Sequence, residues 1–239
     1  MVWKIIDTGS ASAQELMDKD KKLLDEIEAE ENPILHLYHF KNRSATYGHF
    51  IQPKDFFSLE AVAEKQLDLA KRPTGGGVIF HLWDLAFSVL VPAQHPFFSL
   101  NTLENYSFVN RAVLLAVEEF LEKKGCELTL EDGAVLGHGC VHFCMAKPTK
   151  YDVMLDGKKV AGAAQRRTAK GFLHQGSISL LLPETEWIES ILQPDLHVLE
   201  GMLTYTYPLL GKGASEKDLQ EGREQVKQLL TKHITRNFL

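Results

Sequence analysis

Residues 151–180, YDVMLDGKKVAGAAQRRTAKGFLHQGSISL, decide how the rest of the chain is read. Tyr151 to Leu155 is a short run of strand formers. Asp156-Gly157 after it is a strong hairpin signal, because glycine tolerates the positive φ that the turn needs. Lys158 and Lys159 leave the turn. Val160 to Ala164 then carries almost no side-chain bulk. A strand built from Ala161, Gly162, Ala163 and Ala164 packs poorly by itself, and its use is to let another object approach the backbone. That object is either a neighbouring strand or a thin ligand. A third run, Leu173 to Leu182, follows a basic turn holding Arg166, Arg167 and Lys170.

The 239 residues suit one domain, or one domain with a small appendage. Hydrophobic residues make up 44%, enough for a sizeable core. A net charge of -6 argues against a general nucleic-acid binder. No apolar run reaches the roughly 18 residues of a membrane span. The N-terminus lacks a signal-peptide core, so a cytoplasmic protein is expected. Three cysteines, Cys126, Cys140 and Cys144, form no CxxC pair. That odd number speaks against a disulfide framework and leaves room for a reactive thiol.

Outward from the hairpin, the elements read as mixed strands and helices. Val2 to Ile6, Ile34 to Phe40, Ala45 to Ile51 and Leu85 to Val91 are predicted strands, and Gly48 marks a bulge or a close approach. Ser12 with Glu15 is a capping box ahead of a helix whose apolar face holds Leu16, Leu23, Leu24 and Ile27. Further helices are expected over Leu59 to Leu69, Asn105 to Lys124 with Gly125 as its cap, Pro183 to Leu192, and Ser215 to His233. Cys126 to Leu130 is a short strand and Gly133 to Gly139 a loop. There is no regular βαβ alternation. The expected class is α+β, a mixed sheet flanked by helices. Residues 1–200 form the main domain, and residues 201–239 an extension ending in an amphipathic helix packed on it.

Three stretches carry candidate chemistry. Arg72-Pro-Thr-Gly-Gly-Gly-Val-Ile-Phe-His81 holds three consecutive glycines fenced by Arg72 and Thr74 before and an apolar run after. A surface linker would have polar flanks, so Gly75, Gly76 and Gly77 read as a loop that contacts a ligand. It is no Walker A, because Gly-Lys-Ser/Thr is missing. Cys144 lies between apolar residues, the setting of an inert buried thiol. Against that, His142, Lys147, Lys150, Lys158 and Lys159 are near in sequence, and cationic neighbours lower a thiol pKa. Taken singly, Lys159 is an ordinary surface amine, His81 a satisfied core histidine, Asp84 a turn cap, and the basic turn a solvated one.

Together these stretches resemble the biotin/lipoate protein ligase and octanoyltransferase family, from Trp3 to about Pro194. The glycine stretch is similar to that family's loop lining the acyl tunnel. Asp84-Leu-Ala-Phe-Ser88 is similar to the strand after it, Asp152 to Gln165 to the signature lysine hairpin, and Leu173-His-Gln-Gly-Ser-Ile178 to the next strand. The resemblance implies the catalytic fold shared with biotin ligases and class II aminoacyl-tRNA synthetases. Three positions depart from the usual pattern: Leu82 where an acidic residue is common, Lys71-Arg72 for Arg-Arg, and Met145 for Phe.

Two chemistries run in that family. Ligases use ATP and Mg²⁺ to activate free lipoate or octanoate as an adenylate. Transferases pass an octanoyl group through a cysteine thioester and need no cofactor. Cys144 stands where cysteine-type octanoyltransferases carry their nucleophile, and Gln165 matches the transferase form. A biotin ligase would carry a Gly-Arg-Gly-Arg loop, which is absent. The resemblance therefore implies transfer from acyl carrier protein to the lysine of lipoyl domains, of 2-oxoacid dehydrogenase complexes or of the glycine cleavage H protein. Cys144 and Lys159 are its implied catalytic residues. Arg72, Thr74, Gly75, Gly76, Gly77, His81, Asp152, Gly162, Ala163, Ala164 and Gln165 are its implied substrate-binding residues. No metal site, nucleic acid or membrane is implied. An inactive lipoyl-binding relative is the remaining alternative, disfavoured by the intact Lys159 and glycine loop. The basic turn is a candidate for docking acidic carrier or lipoyl domains.

Overall fold

The chain opens with β1 (Lys4–Ala11) and α1 (Ala13–Glu26). The capping box between them is formed: the Ser12 N–H donates to the Glu15 carboxylate at 3.0 Å, and the Glu15 N–H to the Ser12 hydroxyl at 3.4 Å. In this computed structural model the described residues are 2–133, 136–211 and 213–236, with backbone only at 137 and 138. β2 (Ile34–Phe40) and β3 (Ser44–Tyr47) follow. α2 (Leu59–Glu64) is shorter than expected, because Gln66 takes a φ of 52° and the chain becomes β4 (Asp68–Lys71). Parallel pairing with β3 wins over further helix there, and the Asp68 carboxylate also accepts the Ala13 N–H at 2.7 Å.

β5 (Val78–His81) and β6 (Asp84–Pro92) flank a sharp corner at Leu82, whose φ is 119°. α3 (Thr102–Phe120) ends earlier than predicted. Gly125 is not its cap; the Glu118 side chain accepts the N–H groups of Gly125 and Cys126 and turns the chain out. β7 (Glu127–Leu128), α4 (Gly137–Cys140) and β8 (Val153–Leu155) lead into the hairpin. Part of the predicted 133–139 loop is thus a helical turn, and Ala134 and Val135 lie outside the described residues. β9 (Lys158–Arg167) and β10 (Gly171–Ser179) complete the strands, and α5 (Thr185–Ile191), α6 (Val198–Tyr205) and α7 (Glu216–Arg236) close the chain. α6 has no counterpart in the sequence reading.

The strands form a seven-stranded mixed sheet in the order β1-β2-β6-β10-β9-β8-β7 and a three-stranded sheet β4-β3-β5. Every residue of β6 and of β10 is buried, so both faces of the large sheet are covered at its centre. Side chains alternate across it. His174 faces Phe87 and Tyr106 of α3. Gln175 and Ser177 face the other way, Gln175 donating to Asp20 of α1 and Ser177 to the Asp84 carboxylate, which also bonds His81 of the small sheet. α7 is tied down by Arg223, which donates to the backbone carbonyls of Leu82 and Asp84 and so braces the β5–β6 corner. Among the described residues no helix is long and apolar enough to cross a membrane.

Candidate active site

The hairpin turns as its sequence requires. Asp156 and Gly157 take φ values of 51° and 73°, the left-handed pair of a tight two-residue turn. β9 then carries one extra residue against β8, because Val153 pairs with Ala161 while Met154 pairs with Lys159. A bulge of this kind re-aims a side chain. Lys159 and Gly162 are an odd number of residues apart and would point to opposite faces of a regular strand. With the extra residue they share one face. A Cβ on Gly162 would lie 2.3 Å from the Lys159 Cε and 2.5 Å from its Nζ. The glycine is the space through which the lysine reaches inward.

Lys159 is 1% exposed. Its ammonium donates to the Asp152 carboxylate at 2.7 Å, to the Cys144 carbonyl at 2.6 Å, and to the Lys147 carbonyl at 3.4 Å. Asp152 also accepts the N–H and the hydroxyl of Thr149 at 2.6 and 2.8 Å. Burial pushes the Asp152 carboxyl up, and Lys159 and Thr149 pull against it. The lysine is therefore no solvated amine. It fastens the hairpin to the loop that carries Cys144.

That loop is stitched to the glycine loop by backbone. The Val78 N–H donates to the His142 carbonyl at 2.6 Å, and the Cys144 N–H to the Val78 carbonyl at 2.8 Å. Gly77 permits this contact, since a Cβ there would meet the His142 oxygen at 2.1 Å. Gly48 backs onto the same loop, and a Cβ on it would meet the Gly76 oxygen at 2.0 Å. The Arg72 guanidinium closes the loop from beneath. It donates to the carbonyls of Gly75 and Gly77 at 2.9 and 2.8 Å and to the Thr46 carbonyl and hydroxyl at 3.0 Å. Thr74 donates to Gln175 at 2.6 Å.

Two cavities meet at Cys144, which is half-buried. An outer vestibule of about 330 Å³ is lined by Gly75, Gly76, Gly77, Tyr106, Lys147, Lys159 and Gln165. A smaller cavity of about 30 Å³ adjoins it at Cys144 and is lined by Gly162, Ala163, Ala164, Ala86, Met17 and Tyr38 among others. A larger concavity, about 1010 Å³, lies between α7 and the end of the sheet and holds none of the predicted site residues.

Thus Cys144, Lys159, the three glycines, Gly162, Ala163, Ala164 and Gln165 come together at one place. Arg72 touches the smaller cavity and holds the glycine loop. Thr74 is a pin for that loop, and Asp152 is the lysine's partner. His81 lines the smaller cavity, with its ring nitrogens 2.8 Å from both the Asp84 carboxylate and the Thr46 hydroxyl. Burial would raise the Asp84 carboxyl, but His81, Ser177 and Arg223 outweigh it and hold the group low. The basic turn is partly engaged within the chain: Arg166 donates to the Pro73 carbonyl, and Lys170 to the Asp25 carbonyl.

The sequence reading missed two groups. Asp20 of α1, fully buried, accepts from Ser88 and Gln175 at 2.6 Å and from Tyr38 at 3.2 Å, and lies 2.7 Å from a His36 ring nitrogen. Its signal was an acidic residue at a core position of the stripe Ala13, Leu16, Met17, Asp20, Leu24. Tyr106 borders the vestibule, and burial pushes its phenol up to about 12. Nothing local marks it in an otherwise ordinary amphipathic helix.

Residues 12–201 match the model of the lipoyl protein ligase A/B catalytic domain. The chain is 30% identical over 206 residues to octanoyltransferase LipM of Bacillus subtilis (strain 168), covering 84% of this chain and 73% of that protein. It is 29% identical over 207 residues to octanoyltransferase LipM of Geobacillus kaustophilus (strain HTA426), with the same coverage. Among solved structures it is similar to a lipoate-protein ligase A bound with ATP, with a TM-score of 0.69 at 17% identity over 99% of this chain and 95% of that one. The lipoate protein ligase of Thermoplasma acidophilum gives a TM-score of 0.67 at 17% identity, over 99% and 93%. At those identities the likeness is one of fold. The expected α+β class holds, and the chain belongs to the lipoyl protein ligase A/B catalytic domain family.

Proposed function

We propose that the chain is an octanoyltransferase that carries the acyl group as a thioester on Cys144 and delivers it to the acceptor lysine of a lipoyl domain. The observation that carries this reading is the place of Cys144, where a vestibule of about 330 Å³ bordered by Lys159 and the glycine loop meets a small cavity lined by Gly162, Ala163 and Ala164. An octanoyl chain offers no polar group beyond its carbonyl, so apolar burial must hold it. Each buried methylene contributes about 0.8 kcal/mol, which makes a full chain worth several kcal/mol.

In the first half-reaction the vestibule receives the thioester arm of octanoyl acyl carrier protein. The Cys144 thiolate attacks the carbonyl carbon, a new C–S bond forms, the donor's C–S bond breaks, and the carrier sulfur leaves as thiolate, which takes up the proton that Cys144 gave to solvent. One thioester replaces another, so the step is close to balanced in energy. Lys159 holds the Cys144 backbone in place, and its longest bond, to Lys147, is the one that yields most readily to the acyl oxygen. In the second half the neutral amine of the acceptor lysine attacks the same carbon. An amide forms, Cys144 leaves as thiolate, and the proton shed by the amine returns to it.

The acceptor is a lipoyl domain of a 2-oxoacid dehydrogenase complex or the glycine cleavage H protein, in the cytoplasm. The transferase reading requires neither ATP nor Mg²⁺. The test is acylation of a lipoyl domain from octanoyl acyl carrier protein in nucleotide-free buffer. Product formation there supports the reading. Acylation appearing only with free octanoate and Mg-ATP would make the chain a ligase and Cys144 a packing residue.

A further inference from the structure

His174 of β10 has no exposed surface and lies against the rings of Phe87 and Tyr106. Burial pushes the imidazole down to about 3, so at neutral pH it is uncharged, with one nitrogen a donor and the other an acceptor. Nδ1 is the acceptor, because the Gln165 side-chain nitrogen donates to it at 2.7 Å. Nε2 then carries the hydrogen, and it has no partner among the described residues. A leucine would fill the same place without stranding a polar atom. The bond to Gln165 is thus what the histidine is for. It follows from the strand register, in which the two residues stand directly opposite each other on β9 and β10.

That bond decides which end of the glutamine is left over. Its nitrogen is taken up by His174, while its carbonyl oxygen is buried and has no partner among the described residues. Gln165 lines the vestibule together with Cys144 and Tyr106. The vestibule wall therefore holds an acceptor that neither water nor the chain satisfies, an arrangement that costs stability until a ligand N–H completes it. A glutamine free to turn would offer its N–H₂ as readily as its oxygen; the histidine fixes the choice.

From this pair we infer that Gln165 recognises the leaving arm of the donor thioester, its carbonyl oxygen accepting a secondary-amide N–H of that arm, and that His174 is a positioning residue that holds the glutamine in this orientation. The inference rests on the acyl-enzyme reading and adds what the site recognises on the sulfur side of the thioester. A carrier protein presents its acyl group on a pantetheine arm, in which an amide nitrogen follows the sulfur after two carbons. Three single bonds put that N–H about 4 Å from the sulfur. With the sulfur at Cys144, the amide falls inside the cavity that Cys144 and Gln165 share.

The experiment compares two small donors. One is octanoyl-N-acetylcysteamine, which carries the same amide; the other is its ester analogue, in which oxygen replaces the N–H. Formation of the octanoyl adduct is followed by intact mass over a range of donor concentrations. Wild type should favour the amide donor by at least about tenfold in rate at low concentration, as a site built around a substrate N–H does. Gln165→Met and His174→Leu should each bring that ratio close to one, chiefly by raising the amide donor concentration needed for half-maximal rate. Damage to the fold slows both donors alike and leaves the ratio unchanged, so the ratio reads recognition alone. Variants that keep the wild-type ratio overturn the assignment to Gln165 and His174. A wild type that uses both donors equally, or that takes octanoyl from carrier protein and not from the amide donor, overturns the arm contact and leaves the acyl-enzyme intact; neither result depends on a variant folding. A wild type acylated by no donor, carrier protein included, overturns the acyl-enzyme reading, and the arm contact with it.

Discussion

The Lys159 ammonium lies 2.6 Å from the backbone carbonyl of Cys144 and 2.7 Å from the Asp152 carboxylate. One buried charge thus joins the hairpin to the loop of the proposed nucleophile. Lys159→Met leaves Asp152 buried without its counter-ion, which costs about 3–5 kcal/mol. The double variant Lys159→Met/Asp152→Asn removes both charges and should regain most of that stability in urea unfolding. It should not regain transfer, because nothing then holds the Cys144 carbonyl. A double variant that is stable and as active as wild type would reduce the lysine to a structural ion pair.

Gly162→Ala tests the path of that lysine. The added methyl would fall 2.3 Å from the Lys159 Cε, so the side chain must withdraw from Cys144. Transfer should fall by at least about tenfold, while a modest stability loss of about 1–3 kcal/mol reflects overpacking. A variant with normal kcat would show that the lysine's inward position is not required.

Asp20→Asn replaces one carboxylate oxygen that accepts from Tyr38, Ser88 and Gln175 with a group of different donor pattern. Through Gln175 the disturbance reaches Thr74 at the head of the glycine loop. A destabilisation of about 1–3 kcal/mol is expected. Faster hydrogen exchange at Thr74 to Gly77 should accompany it. Unchanged exchange there would separate the Asp20 network from the loop.

His174 gives the pH dependence. Burial pushes its ring down to about 3, against about 6.5 in the unfolded chain. Between those values the unfolded state binds the proton and the folded state does not, so stability rises with pH across that window and is lost as pH falls through it. From pH 7 to pH 5 wild type should lose roughly 2 kcal/mol through this residue. His174→Gln should flatten the slope by that amount in paired urea titrations. An equal slope in the variant would assign the acid loss to other groups.

The hairpin was legible because its signals are local: Asp156-Gly157 specifies its own φ values, and small residues from Ala161 to Ala164 reveal a close approach whatever approaches. The end of α2 was not, because pairing of Asp68 with β3 overrides a helical pattern that continues in the sequence. Gly125 was mistaken for a cap since the side chain that turns the chain, Glu118, bonds forward from within the helix. The Asp20 network was invisible for a different reason. Its partners Gln175 and Ser88 come from distant strands and meet only after the sheet has formed. Turn and close-approach residues could be read from local pattern; Lys159, Asp152 and Thr74, whose contacts are long-range, entered only through the family resemblance, and Asp20 had neither signal.

The central claim is that Cys144 carries the acyl group. It is tested most directly by the intact mass of the protein after incubation with octanoyl acyl carrier protein in the absence of ATP, beside a Cys144→Ser variant and with hydroxylamine treatment afterwards. The account predicts one octanoyl adduct on wild type, removed by hydroxylamine as a thioester is, and no such labile adduct on the variant. An unmodified wild type, or an adduct of equal amount and lability on both proteins, would contradict it.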